Sequence, residues 1–415
     1  MTGLSATSVA FVLSLFETGL AAVRSLGRVG IPVIGLDSNP HMPGFKSRYC
    51  TPKLCPNPVH QPDELLRFLL EEGERLAKPG ILIPASDAFV LFVARYREDL
   101  HRFFRFALPA ENVLEAMVNK RKQYELAEQV GMPYAQTFYP ETREDVQRIK
   151  DRVDYPAIIK PYYSHLWCDR FGGVKGVFKV HTAQELTTRF EEILPTGLQV
   201  LVQSVILGPN TNHFKVCAYM SQSGEPLAVF TLRKIRQYPT EFGVGTLVES
   251  LAYPELAELG LKFFSNIGYR GIGSIEFKKD ERDGKLKMIE LNPRLWLQNS
   301  QATDCGMNFP LIEYLDLTGH TPPPQRTFKT GVKWWDARND FYAFWSYRRQ
   351  GTLSLWPWIG SWIGSKSFAT FAWDDLGPFL RANDFGSVLR NLPRYLLLLL
   401  MGMDRGHMRR GVYSD

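Results

Sequence analysis

Cysteine is scarce in this chain: five in 415 residues, at Cys50, Cys55, Cys168, Cys217 and Cys305. That is too few and too scattered for a disulfide framework in a chain of this length. Cys50 and Cys55 lack a second pair or a nearby histidine, so they read as thiols and not as a zinc site. Long hydrophobic runs are also missing. The longest, Tyr395–Met401, falls far short of the roughly 18–20 apolar residues that span a bilayer. Val9–Phe16 is apolar, but no basic residue precedes it and Glu17 follows, which suits a buried first strand better than a signal peptide. Neither a Gly-x-x-x-x-Gly-Lys-Ser/Thr loop nor the protein-kinase signature set occurs, which excludes those nucleotide folds. Together these absences describe a cytoplasmic globular chain. One further absence is regional: Thr321–Asp415 holds 13 Lys and Arg, seven Asp and no Glu. The whole +6 net charge and seven of the nine Trp lie in that tail, so residues 1–320 are neutral.

What is present begins as strand, turn, helix, strand. Ser8–Leu15 is a continuous apolar run, Glu17-Thr18-Gly19 a turn, Leu20–Val29 has helical spacing, and Ile31–Leu36 is a second buried strand closed by Asp37. Later strands are expected at Ile81–Pro84 and Phe106–Leu108, with helices over 62–77 and 88–101. Such an open parallel sheet takes ligands at the carboxyl ends of its strands, near Glu17, Asp37 and Asp87. Asp37 and Asp87 read first as turn or cap residues. From Asn119 onward helices alternate with strands, including Tyr155–Lys160, Leu198–Ile206, 213–220 and 227–234, a loop over 235–247, and a hairpin over 272–291. Pro322-Pro323-Pro324 marks the start of the tail.

The hairpin carries the strongest chemical signal. Glu276 lies on its first strand, Asp283-Gly284 supplies the turn, and the second strand reads Glu290-Leu-Asn292-Pro-Arg294. An odd-length loop centred on Asp283 is expected to set Glu276 opposite Glu290, with Asn292 on the same face as Glu290. Two carboxylates about 5 Å apart repel by roughly 3 kcal/mol at an effective dielectric of 20. A hard divalent cation would compensate, and carboxylate and amide oxygens suit Mg²⁺ beside phosphates. Lys120, opening a helix, and Lys160, closing a strand, could then serve a polyphosphate as point charges. The stretch Phe171-Gly172-Gly173-Val174-Lys175-Gly176 could fold over phosphates with its backbone N–H groups.

In this order the pieces resemble the ATP-grasp superfamily, and more narrowly its carboxylate–amine ligases of the D-alanine–D-alanine and D-aspartate type, with a carbamoyl-phosphate-synthase-like character. The resemblance covers about residues 8–320. It implies an α/β plus α+β chain: a Rossmann-like pre-ATP-grasp domain over 1–115, then a two-lobed ATP-grasp domain over 116–320 whose lobes divide near residue 200. A mostly helical, basic and aromatic extension would follow over 321–415. It further implies that Lys120 and Lys160 bind ATP phosphates with Gly172 and Gly173. Gln203, Ser204, Val205 and Ile206 would form a hinge reading adenine, and Asn212 would stand near the ribose. Glu276, Glu290 and Asn292 would hold two Mg²⁺ ions. Arg294 would stabilise the phosphoryl group in transit, with Lys160 and Lys234 completing the catalytic charges. Two positions depart from the family: Ser204 and Asn212 stand where acidic residues are usual, which bears on the adenine and ribose contacts.

The expected activity joins a small-molecule carboxylate to an amine through an acyl phosphate. The alternatives are a bicarbonate-activating carboxylase or carbamoyl-phosphate-type enzyme, and a non-catalytic nucleotide-binding module docked on a membrane or partner. On the substrate side, Arg233, Lys234 and Arg236 fall within four positions, and Glu249 follows a flexible loop. These residues, with Glu17, are substrate candidates, and His165 reads as a surface residue. The Trp-rich stretch 333–375 reads as an appendage packing its rings onto the body. Leu389–Met401, flanked by arginines, has the composition of an interfacial helix at the inner face of a membrane. Nucleic acid is not expected, because the basic residues are scattered.

Overall fold

The computed structural model describes residues 8–163, 177–320 and 322–382. Among these, 8–111, 210–276 and 291–382 form one compact unit, and 112–163, 177–209 and 277–290 form a second.

The first unit opens with a five-stranded, all-parallel sheet. Its strands are β1 (Ala10–Leu13), β2 (Val33–Asp37), β3 (Thr51–Leu54), β4 (Gly80–Pro84) and β5 (Phe104–Arg105), ordered β3-β2-β1-β4-β5. β1 and β4 are apolar throughout because both faces of a parallel sheet are covered. The turn into helix Glu17–Gly27 needs glycine: a Cβ on Gly19 would lie 1.8 Å from the Ser14 carbonyl oxygen. The strand expected at Phe106–Leu108 sits two residues earlier, where Gly80 and Ile81 pair with Phe104 and Arg105.

In the second unit an antiparallel sheet, ordered β6-β9-β7-β8, comprises β6 (Thr137–Phe138), β7 (Ala157–Pro161), β8 (Phe178–Val180) and β9 (Val200–Ser204). Helices Arg143–Ile149 and Ala183–Ile193 bury Val146, Leu186 and Phe190 against Ala157, Ile159 and Val202. Thr142 and Asp145 close the start of the first helix with a reciprocal capping box.

The third sheet has seven strands in the order β14-β13-β10-β11-β12-β15-β16. They are β10 (His213–Met220), β11 (Pro226–Tyr238), β12 (Val244–Ser250), β13 (Gly271–Lys279), β14 (Leu286–Asn292), β15 (Lys333–Trp335) and β16 (Lys366–Phe368). The hairpin lies where alternation and the Asp-Gly turn set it, with Gly284 at a φ of 68°. The loop expected over 235–247 is shorter. β11 runs on to Tyr238 because two register shifts, either side of Arg236, keep its pairing with β12 while re-aiming side chains.

The extension is built into this sheet. β15 pairs antiparallel with β12, Val248 opposite Trp334, and β16 adds in parallel. Helix Ala337–Arg349 carries Asp340, which is fully buried and takes two hydrogen bonds from Arg236 at 2.8 and 2.9 Å. Trp358 stacks on Phe344 at 4.2 Å and donates its indole N–H to Asp340 at 2.9 Å. Trp334 is buried and donates to Ser300. Farther on, the Asp375 carboxylate accepts from buried Arg24 at 2.9 Å, from the Ser47 hydroxyl at 2.7 Å and from the Arg48 backbone N–H.

Candidate active site

The second unit gathers its charges around β7. An apolar run ends in Lys160, whose ammonium is buried and donates to the Tyr124 hydroxyl at 2.8 Å and to Gln203 Oε1 at 2.9 Å. Gln203 is in reach because β9 pairs with β7: Lys160 lies opposite Leu201 and Gln203 opposite Ile158, a two-residue offset that keeps both side chains on one face. Tyr124 comes from helix Lys120–Gln129, and its hydroxyl donates to the Ile289 carbonyl at 2.7 Å. Both oxygens holding Lys160 are neutral. Burial therefore pushes its ammonium down to about 7, the Lys120 charge adding to the fall and Glu290 opposing it. Asn119 caps the same helix by accepting from the Arg121 and Lys122 N–H groups. Lys120, the first residue of that helix, reaches Glu290 at 3.0 Å.

The expected hinge spans the end of β9 and the two residues after it. The Ser204 N–H donates to the Gln136 carbonyl and its hydroxyl to the Gln136 side chain. The Val205 N–H is bonded to the Pro156 carbonyl, and the Val205 carbonyl accepts from Arg282. Ile206 is buried. Gly172, Gly173 and His165 lie outside the described residues.

In the first unit, Glu276 on β13 meets two residues of neighbouring β10: His213 Nε2 at 2.7 Å and Lys215 Nζ at 3.0 Å. Burial alone would raise the Glu276 carboxyl, but Lys215 and His213, with Lys234 behind them, hold it well below the usual carboxylate range. His213 is pushed down to about 4 by burial and by the Lys234 charge, against the pull of Glu276, so at neutral pH the ring is uncharged. Lys234, buried on β11, donates to Gln237 Oε1 at 3.0 Å and to the Gly243 carbonyl at 3.2 Å. Its sequence neighbour Arg233 faces the other way and pairs with Glu249 at 2.8 Å, directly across on β12. Arg236 is committed to Asp340 and to the Ser361 hydroxyl, a structural clip that ties β11 to the extension.

Asn292 ends β14, and Arg294 follows it with a two-pronged contact to Asp87: Nε to Oδ1 at 2.6 Å and Nη2 to Oδ2 at 3.0 Å. Asp87 is the first residue of helix Asp87–Arg95, behind the Ser86 cap. Glu17 is the buried first residue of its helix, and Asn212 ends a short turn before His213. Asp37 accepts from the Leu15 and Asn39 N–H groups, the turn role expected of it.

Of the metal candidates, Glu276 and Asn292 belong to the first unit and Glu290 to the second. Among the described residues no three of His, Cys, Asp and Glu cluster as a metal cage. Each of the three offers oxygen, two as carboxylates and one as an amide, which is the donor type of a hard cation. Lys120 at Glu290, and Lys215 at Glu276, neutralise carboxylates that a metal would otherwise balance.

Sequence reasoning missed His213, Lys215, Tyr124 and the tie of Asp87 to Arg294. The first two carried a usable signal: two apart on one strand, they share a face. Asp87 lies 207 residues from Arg294 and Tyr124 lies 36 from Lys160, so no local pattern connects either pair.

Comparison with known proteins adds three observations. Residues 119–314 match the family described as carbamoyl-phosphate synthase L chain, ATP binding domain. The D-aspartate ligase of Enterococcus faecium is 24% identical over 278 residues, 65% of this chain and 66% of that ligase. The D-alanine–D-alanine ligase of Pseudomonas putida is 24% identical over 182 residues, 42% of this chain and 54% of that ligase. The chain thus spans just under two thirds of the first relative and about half of the second. In fold, it is similar to N5-carboxyaminoimidazole synthetase from Staphylococcus aureus, with a TM-score of 0.61 at 12% identity over 79% of this chain and 81% of that one.

Proposed function

From the match of residues 119–314 to the carbamoyl-phosphate synthase L chain ATP binding domain, we propose that the chain is an ATP-grasp enzyme, an ATP-dependent carboxylate–amine ligase. A carboxylate oxygen of one substrate attacks the γ-phosphorus of ATP, giving an acyl phosphate and ADP. The amine of the second substrate then attacks the acyl carbon, and the C–O bond breaks to release phosphate. The observation that carries this reading is Lys160, a buried ammonium whose near contacts are neutral oxygens. A desolvated cation so placed is stabilised by an incoming anion such as a nucleotide phosphate.

The roles follow from the charges. Lys160 and Lys120 bind phosphates, and the Gln203–Ile206 segment with Asn212 lies against the nucleoside. Glu276, Glu290 and Asn292 would hold two Mg²⁺, which when bound neutralise the charge of the transferring phosphoryl group. Arg294 would stabilise the phosphoryl oxygens and the acyl phosphate, Asp87 keeping its guanidinium plane oriented. Lys234 supplies a second cation for the substrate carboxylate, and Arg233, Glu249 and Glu17 flank the substrate side. Arg236, tied to Asp340, supports that strand. The reading places the enzyme in the cytoplasm, with the basic aromatic extension holding it at the inner face of the membrane. Among the described residues no helix is long and apolar enough to cross one.

The test is phosphate release from Mg²⁺-ATP over a matrix of carboxylates and amines, with product mass for each active pair. Release that requires both partners is the expected result, and Glu290→Gln should lower kcat by about 100-fold or more. Nucleotide binding with no turnover for any pair would favour the non-catalytic module, and an unchanged rate in Glu290→Gln would overturn the metal assignment.

A further inference from the structure

The structure sorts the tryptophans of the extension into two sets. Trp334, Trp335, Trp345, Trp358 and Trp362 pack among aromatic neighbours or into the sheet, whereas Trp356 is 78% and Trp373 85% exposed, Trp373 edge-on to Phe371 and followed by Asp374 and Asp375. Trp356 lies on helix Leu355–Gly360, and turn hydrogen bonds continue past it, from the Trp362 N–H to Ile359 and from the Ile363 N–H to Gly360. Trp356, Ile359 and Ile363 are therefore spaced three and four residues apart on one face, with Leu355 one turn before Ile359. All four are exposed, Ile363 by 76%. The opposite face holds Trp358 and Trp362, with ring centroids 4.4 Å apart. Because Trp358 is fixed by Phe344 and Asp340, the outward face is held rigidly and cannot fold in on itself.

The charge around this knuckle has one sign along the chain. From Phe341 to Ala372 there is no Asp or Glu, while Arg348, Arg349 and Lys366 flank the apolar residues, both arginines exposed. Beyond the described residues the sequence continues with Arg390, Arg394, the run Tyr395–Met401, and Arg405, Arg409 and Arg410. An exposed apolar knuckle flanked along the chain by cations, with more cations following in the sequence, matches a surface that is apolar below and anionic above. A second copy of the chain fits less well, since a self-complementary contact would bring the same arginines together.

We propose that Trp356, Ile359 and Ile363 dock this protein on an anionic lipid surface, with Arg348, Arg349 and Lys366 meeting the lipid phosphates. This takes the location part of the proposed function to a defined surface and stands apart from the ligase chemistry, which phosphate release reads separately.

The experiment is co-sedimentation of the full chain with phosphatidylcholine vesicles, with and without phosphatidylglycerol. The parent should bind only the vesicles containing phosphatidylglycerol. The triple variant Trp356→Ser, Ile359→Ser, Ile363→Ser should keep the parent's denaturation midpoint and lose vesicle binding by about tenfold or more. Arg348→Gln with Arg349→Gln should weaken binding and flatten its salt dependence. Equal binding of parent and triple variant would overturn the proposal and assign any affinity to residues beyond 382. Loss of a parent dimer in the triple variant, read by sedimentation equilibrium, would overturn it in favour of a second copy.

Discussion

Lys160 sets the behaviour expected of a single residue. Its ammonium is lowered to about 7 by burial, so the free protein is largely neutral at this position above that pH. A bound phosphate favours the charged form and must draw a proton in. Nucleotide affinity should therefore be flat below pH 7 and fall as pH rises through 7 towards 9, by up to about tenfold per unit. At pH 8, calorimetry in buffers of different ionisation heat should show close to one proton taken up per nucleotide, and Lys160→Met should abolish the uptake. No uptake in the parent would sink this assignment. The position of Lys160 at the end of an apolar strand was legible in the sequence, because strand period and strand end are local. Its neutral surroundings were not. Tyr124 and Gln203 arrive from a helix and a strand 36 and 43 residues away, and only the folded sheet decides that no carboxylate comes with them.

At the level of elements, helix Phe309–Leu317 carries an unusual charge. Glu313 is buried, its Oε2 has no hydrogen-bond partner among the described residues, and burial with nearby Asp316 raises its carboxyl to about 8. The fold therefore favours the protonated acid, and that preference is fully present below the unfolded pKa. Stability should fall as pH rises from about 4.5 to 8, by up to about 1.4 kcal/mol per unit, and level off above. Urea denaturation across that range should show the slope in the parent and not in Glu313→Gln; equal slopes would remove Glu313 as its source. Elements differ in how openly the sequence declares them. The β13–β14 hairpin was readable because alternation and Asp283-Gly284 agree. The true length of β11 was hidden by two register shifts that break the alternation around Arg236. β15 and β16, three residues each, are too short to show any period, so the extension reads as mostly helical while supplying two strands.

For the molecule as a whole, the tail's charge proves to be divided between packing and surface. Asp375 holds Arg24 in the N-terminal sheet region across 351 residues. Replacing it with Ala leaves a buried guanidinium without its carboxylate, which should cost about 3–5 kcal/mol. The apolar pair Arg24→Met with Asp375→Leu should recover most of that loss, because it removes both charges together. A loss below about 1 kcal/mol in Asp375→Ala would show that the Thr370 and Asp375 backbone carbonyls suffice for Arg24. The position of β15 carries a consequence for handling the chain itself. Because it covers β12, a chain cut at Pro322 would lay bare the N–H and C=O groups of that strand and strip Asp340 from buried Arg236. Such a fragment would be a template for strand-to-strand self-association. Residues 333–368 are thus the closing seam of the sheet, and shortened forms of this protein should be judged by their solubility before their activity is read.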